Sequence, residues 1–244
     1  MSDSLSLPVS DPSSLQGRLF VAATPIGNLE DVTLRLLRLL RDVDVVLCED
    51  TRVTRKVFDR YVLPVENATG DYRLQQFHQH SLDQEVDRIV RSIQEGRSCV
   101  LVTDAGTPCI SDPGWRLVDA VREANLPVEV VAGPSAVTAA LSVAGLNCTT
   151  YTFLGFPPVK KGRQTFFSAL AERKEVIVLY ESPHRIRKTV EALAEQVGDR
   201  LVVLARELTK LHEEVLRGTP VELLEQLPEK ARGEFVVIVD RPHS

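Results

Sequence analysis

The chain has 244 residues, which is long enough for one large domain or two of ordinary size. Its 43% hydrophobic and 26% charged residues are typical of a soluble globular protein. A net charge of −5 argues against broad nucleic-acid affinity driven by counterion release, and 5% aromatic residues argue against a stacking platform for single strands. Any nucleic-acid substrate would therefore have to meet a local basic patch.

The cysteines and the apolar runs restrict the environment of the chain. Cys48, Cys99, Cys109 and Cys148 are scattered without a CxxC pair, which favours buried thiols over metal ligation. No apolar run reaches the ~18 residues needed to span a bilayer. The first residues lack the basic region and apolar core of a secretory signal. We therefore expect no membrane association and a cytoplasmic location.

Residues 1–16 are rich in Ser, Pro and Asp and predict a disordered tail. Strands and helices then alternate over residues 17–145, which predicts a mostly parallel sheet covered on both faces. The predicted strands of this N-terminal α/β domain are Leu19–Ala22, Val43–Leu47, Arg73–Phe77, Cys99–Val102 and Val128–Val131. One helix is predicted to begin at Thr33, and a second is predicted to run from a Thr51 cap towards Tyr61. Three further helices are predicted at Leu82–Gln94, Trp115–Ala124 and Val137–Ala144.

The best candidate for a domain boundary is Gly145–Thr150, because the pattern changes beyond it. In residues 150–244 the predicted strands are Tyr151–Phe156, Val176–Tyr180 and Leu201–Ala205, with a helix at Gly162–Arg173 and another after residue 185. Residues 213–240 have the pattern of strand, short helix and strand without full crossovers. We therefore expect a C-terminal α/β domain with a mixed sheet, and a two-domain α/β protein overall.

Polar loops follow the predicted strands directly in both halves. Because the carboxyl ends of parallel strands share one edge of a sheet, loops of this kind converge, and a cleft between two domains is a preferred place for a ligand. We expect such a cleft here. The loops are Thr24–Asn28, Glu49–Arg52, Asp104–Gly114, Gly133–Ala136, Glu181–Arg185 and Arg206–Lys210.

The longest of these loops, Asp104–Gly114, carries two carboxylates, Asp104 and Asp112. Its glycines permit close backbone approach and its prolines stiffen the path, which suits a small polar ligand. The alternative is an ordinary strand-to-helix connection, but those usually need only about two to six residues. No GxGxxG follows the first strand and no GxxxxGK[ST] occurs, which disfavours dehydrogenases and P-loop enzymes.

Some of the shorter motifs have structural alternatives. Gly133–Ser135 could present free amides to an anionic group, or Ser135 could simply cap a helix. Similarly, Ser182 could cap a helix whose first turn contains Pro183. His78 and His80 lack a further clustered ligand, so we expect no metal; they face a substrate or are exposed on an edge strand. The local basic clusters are a solvated surface or a phosphate-binding patch, and they comprise Lys160, Lys161, Arg163, Arg185, Arg187 and Lys188.

Taken together, the loop motifs resemble the ribosomal RNA small subunit methyltransferase I family, within the tetrapyrrole-methylase-like class of S-adenosylmethionine enzymes. The resemblance extends from Arg18 to about Asp240, and the motifs occur in the same order. Longer members continue past the position of Ser244 with a helical segment that the resemblance links to RNA binding. The matching motifs are Thr24–Leu29, Glu49–Arg52, Thr103–Pro108, Ser111–Gly114, Gly133–Ala136, Glu181–Arg185 and Ala205–Lys210.

This resemblance implies a homodimeric methyltransferase that binds S-adenosylmethionine in the interdomain cleft. It also implies the 2′-hydroxyl of a cytidine in the decoding region of 16S rRNA, in the small ribosomal subunit, as the methyl acceptor. By motif match, the residues lining the cofactor pocket would be Pro25, Gly27, Asp104, Ala105, Gly106, Ser111, Asp112, Pro134 and Ser135, completed from the second domain by Tyr180, Ala205, Gly233 and Glu234.

Methyl transfer to a hydroxyl needs a group that takes its proton. The candidates are Asp50, His78, His80, Glu181, His184 and Glu207, of which Glu181 and Asp50 are preferred. Arg52 and Arg185 would position phosphates, as their planar forks suit, and His78, His80 and His184 would contact the substrate. The rival functions are methylation of a tetrapyrrole or another small acceptor, and a non-catalytic module that binds the cofactor or the ribosome.

Overall fold

The computed structural model describes residues 15–66, 73–77 and 83–242. The predicted tail lies almost wholly outside these residues. The chain divides into two compact units between Ser135 and Ala136.

The first unit is built on a parallel sheet. Its described strands are β1 (Leu19–Ala22), β2 (Val45–Cys48), β3 (Leu74–Gln76), β4 (Cys99–Leu101) and β5 (Val128–Val131). They lie in the order β3-β2-β4-β1-β5, and every pair is parallel. The parallel sheet predicted from the alternating pattern is confirmed, and the bounds of β1 and β5 agree with the prediction to the residue.

Both faces of this sheet are covered by helices. The helices are α1 (Leu34–Asp42), α2 (Thr51–Tyr61), α3 (Asp83–Gln94) and α4 (Trp115–Glu123), with a short 3-10 turn at Leu29–Asp31. Along β2, Val46 and Cys48 pack with α1 and α2, while Val45 and Leu47 pack with α3 and α4. Successive side chains of a strand point to opposite faces, so strands buried on both sides must be apolar at every position.

Side-chain caps fix the starts of the first two helices. Thr33 caps α1, because its hydroxyl accepts a 3.1 Å hydrogen bond from the Leu36 amide. Asp50, not Thr51, caps α2: its Oδ1 accepts from the Arg52 amide at 2.8 Å. The prediction of a Thr51 cap was wrong by one residue, since an aspartate at the preceding position can accept from the free amides of the first turn.

The second unit contains a mixed sheet. Its described strands are β6 (Tyr151–Phe153), β7 (Val176–Glu181), β8 (Val202–Arg206), β9 (Glu214–Gly218) and β10 (Phe235–Val239). They lie in the order β6-β7-β10-β8-β9. The pair β6–β7 is parallel and the other pairs are antiparallel, which confirms the predicted mixed sheet.

The helices of this unit are α5 (Ala136–Val143), α6 (Arg163–Ala171), α7 (Ile186–Val197) and α8 (Pro220–Gln226). Three of them, α6, α7 and α8, bury apolar side chains against one face of the sheet. Helix α5 contacts β10, which explains why the chain divides before α5 and not at Gly145–Thr150.

Helix α8 begins with a reciprocal capping box between Thr219 and Glu222. Helix α7 begins later than the sequence suggests, since residues 183–185 form a turn and Arg185 stands at the N-cap without a side-chain cap. The structural alternative for this loop, a Ser182 cap with Pro183 in the first helical turn, is therefore not what the structure shows.

The cysteines are all free thiols, but only Cys48 and Cys99 are buried, while Cys109 and Cys148 are half-buried. Burial raises the pKa of Cys48 to about 11 and that of Cys99 to about 12. Across residues 15–66, 73–77 and 83–242, none of the helices combines the length and the hydropathy of a membrane-spanning segment. Among the same residues, no group of His, Cys, Asp and Glu side chains is arranged to hold a metal ion.

Candidate active site

The loops that follow β1 and β4 are joined by backbone hydrogen bonds in the first unit. The Thr24 amide donates to the Gly106 carbonyl at 2.9 Å, and the Gly106 amide returns a bond of 3.1 Å to the Thr24 carbonyl. The Thr24 hydroxyl, which is buried, also donates to the Thr103 carbonyl at 3.0 Å. The parallel sheet brings these loops to one edge, and this pairing fixes their separation.

Gly106 is required at this pairing by its backbone and its surroundings. Its φ is +84°, and a Cβ there would lie 3.3 Å from Cγ2 of Ile26 and 3.7 Å from the Pro134 carbonyl oxygen. The loop after β5 is held from the same side, because the Thr107 hydroxyl donates to the Pro134 carbonyl at 3.1 Å. Three strand-end loops thus form one fixed group.

Asp112 stiffens the long loop from inside. Its Oδ2 accepts from the Cys109 amide at 2.8 Å and its Oδ1 accepts from the Gly114 amide at 3.0 Å. Cys109 has φ +70°, so this carboxylate stabilises a turn that a non-glycine residue rarely adopts. Both oxygens of Asp112 therefore have a structural task, while the neighbouring Ser111 is exposed.

Several carboxyl groups are gathered where β2 and β4 end. The Asp50 amide donates to Oδ1 of Asp104 at 3.1 Å, and the Thr103 hydroxyl donates to a carboxylate oxygen of Glu49. Burial raises the pKa of Glu49, and the negative charges of Asp112 and Asp104 raise it further, against the opposing effect of the Thr103 hydroxyl. Burial and the Asp50 charge likewise raise the pKa of Asp104.

Asp50 has a different electrostatic environment from these neighbours. Arg52 donates from Nε and from a terminal nitrogen to its carboxylate, at 2.6 to 3.1 Å. Those bonds, together with the Arg52 amide, lower the pKa of Asp50 to about 2. The side chain of Arg52 is 87% exposed, so this ion pair faces solvent.

In the second unit, Glu181 lies at the centre of a buried polar network. Its side chain is fully buried. Oε1 accepts from the Ser182 amide at 2.8 Å and pairs with a terminal nitrogen of Arg185 at 2.7 Å, while Oε2 accepts from the Thr189 hydroxyl at 2.5 Å. These donors hold the buried carboxylate in one position.

The network extends from Glu181 to the segment before α6. Arg163 donates to the Thr189 hydroxyl at 2.8 Å and to the Pro158 carbonyl at 3.1 Å, and Arg185 donates to the Pro157 carbonyl at 3.0 Å. These two arginines, assigned by the sequence to a basic cluster, thereby fasten the loop after β6 to the turn after β7. His184 lies in the turn after β7 and is exposed.

Tyr180 and Ala205 lie on neighbouring parts of the second sheet. The Tyr180 ring packs edge-on against Phe153, with centroids 4.8 Å apart, and lies 5.5 Å from the Phe156 ring. Burial raises the pKa of Tyr180, and the Val137 amide at the start of α5 opposes that rise. Ala205 is fully buried within β8.

The turn after β8 is fastened to the segment before β10. The Glu207 amide donates to the Glu234 carbonyl at 3.0 Å, and the Glu234 amide donates to Oε1 of Glu207 at 3.0 Å. Lys210 joins both carboxylates at 2.8 Å. Gly233 has φ +87°, and a Cβ there would lie 2.3 Å from Cγ of Glu207, so no larger residue fits without movement.

The structure thus brings together, within each unit, most of the residues that the sequence singled out. In the first unit Pro25 is buried and Gly27 is exposed beside the paired loops, and Ala105 is exposed within the long loop. Pro134 and Ser135 follow β5. His78 and His80 lie outside the described residues, so the structure gives no place for them.

Glu49 and Thr103 are possible functional residues that were not predicted from the sequence. Both belong to the loop motifs, but neither was singled out. Their positions directly after β2 and β4 were the available signal, because neighbouring parallel strands bring such residues together.

Comparison with known proteins decides the family. A family model described as tetrapyrrole (corrin/porphyrin) methylases matches residues 18–224. A ribosomal RNA small subunit methyltransferase I of Thermotoga maritima is 38% identical over 91% of this chain and 98% of its own length. The protein of the same name from Escherichia coli O157:H7 is 41% identical over 92% of this chain and 78% of its own length. The chain belongs to the ribosomal RNA small subunit methyltransferase I family.

This membership confirms the resemblance that the loop motifs indicated. Solved structures place the family within a wider fold group. A cobalt precorrin-4 methyltransferase has a TM-score of 0.67 at 21% identity, over 95% of this chain and 97% of that one. A diphthine synthase has a TM-score of 0.69 at 15% identity, over 91% and 89%. At such identities the likeness concerns the fold alone.

Proposed function

We propose that this chain is an S-adenosylmethionine-dependent methyltransferase that modifies the RNA of the small ribosomal subunit. The observation that carries the proposal is the identity to proteins named ribosomal RNA small subunit methyltransferase I across 91% and 92% of the chain. The finer proposal is transfer to the 2′-hydroxyl of a cytidine in the decoding region of 16S rRNA, by a homodimer in the cytoplasm. The motif resemblance supports that finer proposal.

The charges at the edge of the first sheet fit the cofactor. S-adenosylmethionine carries a sulfonium and an ammonium group and supplies an electrophilic methyl group. Burial raises the pKa values of Glu49 and Asp104, and the charges of neighbouring carboxylates raise them further. A bound cation would relieve the repulsion between these carboxylates. In the first unit, the residues proposed to hold the cofactor are Pro25, Gly27, Asp104, Ala105, Gly106, Ser111, Asp112, Pro134 and Ser135.

In the second unit, Tyr180, Ala205, Gly233 and Glu234 are proposed for the cofactor on motif match. The buried Ala205 and the tightly packed Gly233 suit an approach by backbone groups, because neither position carries a bulky side chain. Arg52 and Arg185, with His184, are proposed to contact the RNA. Arg52 suits that role best, since its side chain is largely exposed.

The proton acceptor is the part of the site where contacts distinguish the candidates. Glu181 is fully buried with both oxygens hydrogen-bonded, so its geometry suits positioning of the surrounding loops. Asp50 caps α2 and has a pKa of about 2, which makes it a weak base. Glu49 is half-buried with a raised pKa, and a general base works best with a pKa closer to neutrality. We therefore propose Glu49 as the acceptor.

The direct test incubates the purified chain with methyl-labelled S-adenosylmethionine and small ribosomal subunits from cells that lack it. Transfer of label to the RNA, mapped by mass spectrometry to a ribose in the decoding region, is the expected result. Label on a base, or on a site outside that region, would leave the methyltransferase proposal standing and overturn the finer one. Binding of the cofactor without transfer to any subunit preparation would contradict both and favour a binding module. A parallel reaction with precorrins tests a tetrapyrrole acceptor, for which we expect no transfer.

A further inference from the structure

A cavity in the first unit lies away from the candidate active-site loops. Its volume is about 360 Å³, and its floor contains Val45 and Cys99. These are the first residues of β2 and β4, whereas the candidate site follows the carboxyl ends of the strands. The cavity therefore opens near the opposite edge of the same sheet.

The rim of the cavity is polar, and half of its polar residues are arginines. Arg88, Arg91, Ser92 and Glu95 recur at spacings of three and four residues, which places them along one side of α3 and its continuation. Gln75 on the edge strand β3 and Arg97 before β4 complete the polar rim. Three arginines thus surround one recess that contains a single carboxylate.

These arginines differ in their partners from most others of the unit. Within the described part of the chain, no ion pair involves Arg88, Arg91 or Arg97. By contrast, Arg116 of α4 pairs with Asp83, the first residue of α3. Arg88 donates to the side chain of Gln75 at 3.3 Å, and Nε of Arg91 donates to the Asp87 carbonyl at 3.3 Å. All three residues are exposed, so their guanidinium groups can bind an incoming anion.

The surrounding charge makes this cluster unusual. The whole chain carries a net charge of −5, so its average surface repels a polyanion. Guanidinium forks match the oxygens of a phosphate, and a recess lined by several of them binds a phosphate group more strongly than scattered cations do. A local basic recess is the feature that an acidic protein needs to hold RNA.

We propose that this cavity is a second RNA-binding site, which holds a phosphodiester segment of the RNA substrate at a distance from the methylated nucleotide. The proposal rests on the proposed function for the identity of the RNA. Arg88, Arg91 and Arg97 contact phosphate oxygens, and Gln75 and Ser92 supply further donors. Such contacts position the substrate without reading its bases.

The test uses the full chain with Arg88→Gln, Arg91→Gln and Arg97→Gln, singly and together. Binding to purified small ribosomal subunits is measured by sedimentation at several salt concentrations, with methyl transfer measured in parallel. The triple variant is expected to bind roughly tenfold or more weakly, and its logarithmic salt dependence is expected to be shallower by about two to three. The maximal rate at saturating subunits and the affinity for S-adenosylmethionine are expected to stay unchanged.

Arg60→Gln is the matched control. It removes the same charge from an exposed position on α2, which packs on the opposite face of the sheet. An unchanged affinity in the triple variant, or losses from the single variants no larger than the loss from Arg60→Gln, would overturn the proposal. A wild-type chain that binds subunits but does not methylate them would instead contradict the proposed function, and the comparison of affinities would still decide the role of the cavity.

A photo-crosslinker attached at Ser92→Cys identifies what enters the recess, with the labelled wild-type chain as the control for the other cysteines. Cross-links to ribosomal RNA support the proposal. Cross-links to a ribosomal protein alone would overturn it.

Discussion

The hydroxyl of Thr189 donates a 2.5 Å hydrogen bond to Oε2 of Glu181, and neither residue is more than 2% exposed. Arg163 donates to the same hydroxyl from a different helix. One threonine in α7 therefore links a strand end to the loop that precedes α6. The carboxylate of Glu181 depends on this donor, because its burial excludes water as a substitute.

We predict that Thr189→Val lowers the free energy of unfolding by about 1–3 kcal/mol, the usual cost of leaving a buried acceptor unpaired. Valine has nearly the same shape, so the loss comes from the missing hydroxyl. Urea unfolding measures it. Thr165→Val, at an exposed position of α6, is the control and should change stability little. Equal stability of the two variants would show that Glu181 does not need this donor.

We predict that Glu49→Gln lowers the rate of methyl transfer at least a hundredfold, the usual contribution of a general base being about 10²–10⁴. Asp50→Asn makes the same chemical change at the next residue and keeps a good helix cap, so it should retain much more activity. Single-turnover methyl transfer to small subunits measures both. A larger loss from Asp50→Asn would return the role of base to Asp50.

Glu49→Gln is also expected to leave the stability of the protein unchanged or to raise it. The folded-state pKa of Glu49 lies above its ordinary value, so the stability that its proton provides is complete at low pH and is lost as the pH rises through that pKa. At neutral pH the ionised carboxyl therefore opposes folding, and an amide removes that effect. Thermal unfolding of Glu49→Gln should give an unchanged or higher midpoint; a clear drop would contradict the pKa assignment.

The pH dependence of the rate tests the contact between Thr103 and Glu49. The rate should rise with pH through a pKa above that of an ordinary glutamate, because the base must be ionised. The Thr103 hydroxyl lowers that pKa, so Thr103→Val should move the rising limb to higher pH. Thr107→Val, which removes a hydroxyl bonded instead to Pro134, should leave the limb in place. Coincident profiles for the three proteins would exclude Glu49 as the titrating group.

A pair of glycine substitutions separates backbone strain from crowding at the loop pairing. Gly106 and Gly96 both have positive φ, but a Cβ at Gly96 would meet nothing within 4 Å. Gly96→Ala and Gly106→Ala should each cost about 1 kcal/mol or more of stability. Only Gly106→Ala should also weaken S-adenosylmethionine binding in calorimetry, since its Cβ presses on Ile26. Unchanged binding by that variant would argue against a cofactor site at these loops.

The fold could be predicted largely from the sequence because both sheets leave clear patterns. Strands β1 and β5 are short, largely apolar segments that end in polar loops, and their bounds were predicted correctly. The strand-end loops could also be predicted to share one edge of the first sheet. These features depend on neighbouring residues, which a sequence displays directly.

The electrostatic roles within the site could not be predicted, because they depend on distant residues. Glu181 is surrounded by donors from Thr189 and Arg185, and nothing in its own loop shows that it is fully buried. Asp50 and Glu49 are adjacent in sequence, yet one faces Arg52 and the other faces Thr103 and further carboxylates. Similarly, Arg88 and Arg91 are exposed at helical spacing, which in the sequence alone is typical of a solvated surface. Their recess is visible only in the structure, where Gln75 of the edge strand β3 lines it with them.

The position of β10 in the second sheet affects how the chain folds during its synthesis. β10 is the last strand of the described chain, yet it lies between β7 and β8. During translation, those two strands each have an unpaired edge until residues 235–239 emerge from the ribosome, whereas the strands of the first unit are all available once Val131 has emerged. The first unit can therefore fold early, and the second relies on its final strand to close edges that would otherwise favour aggregation.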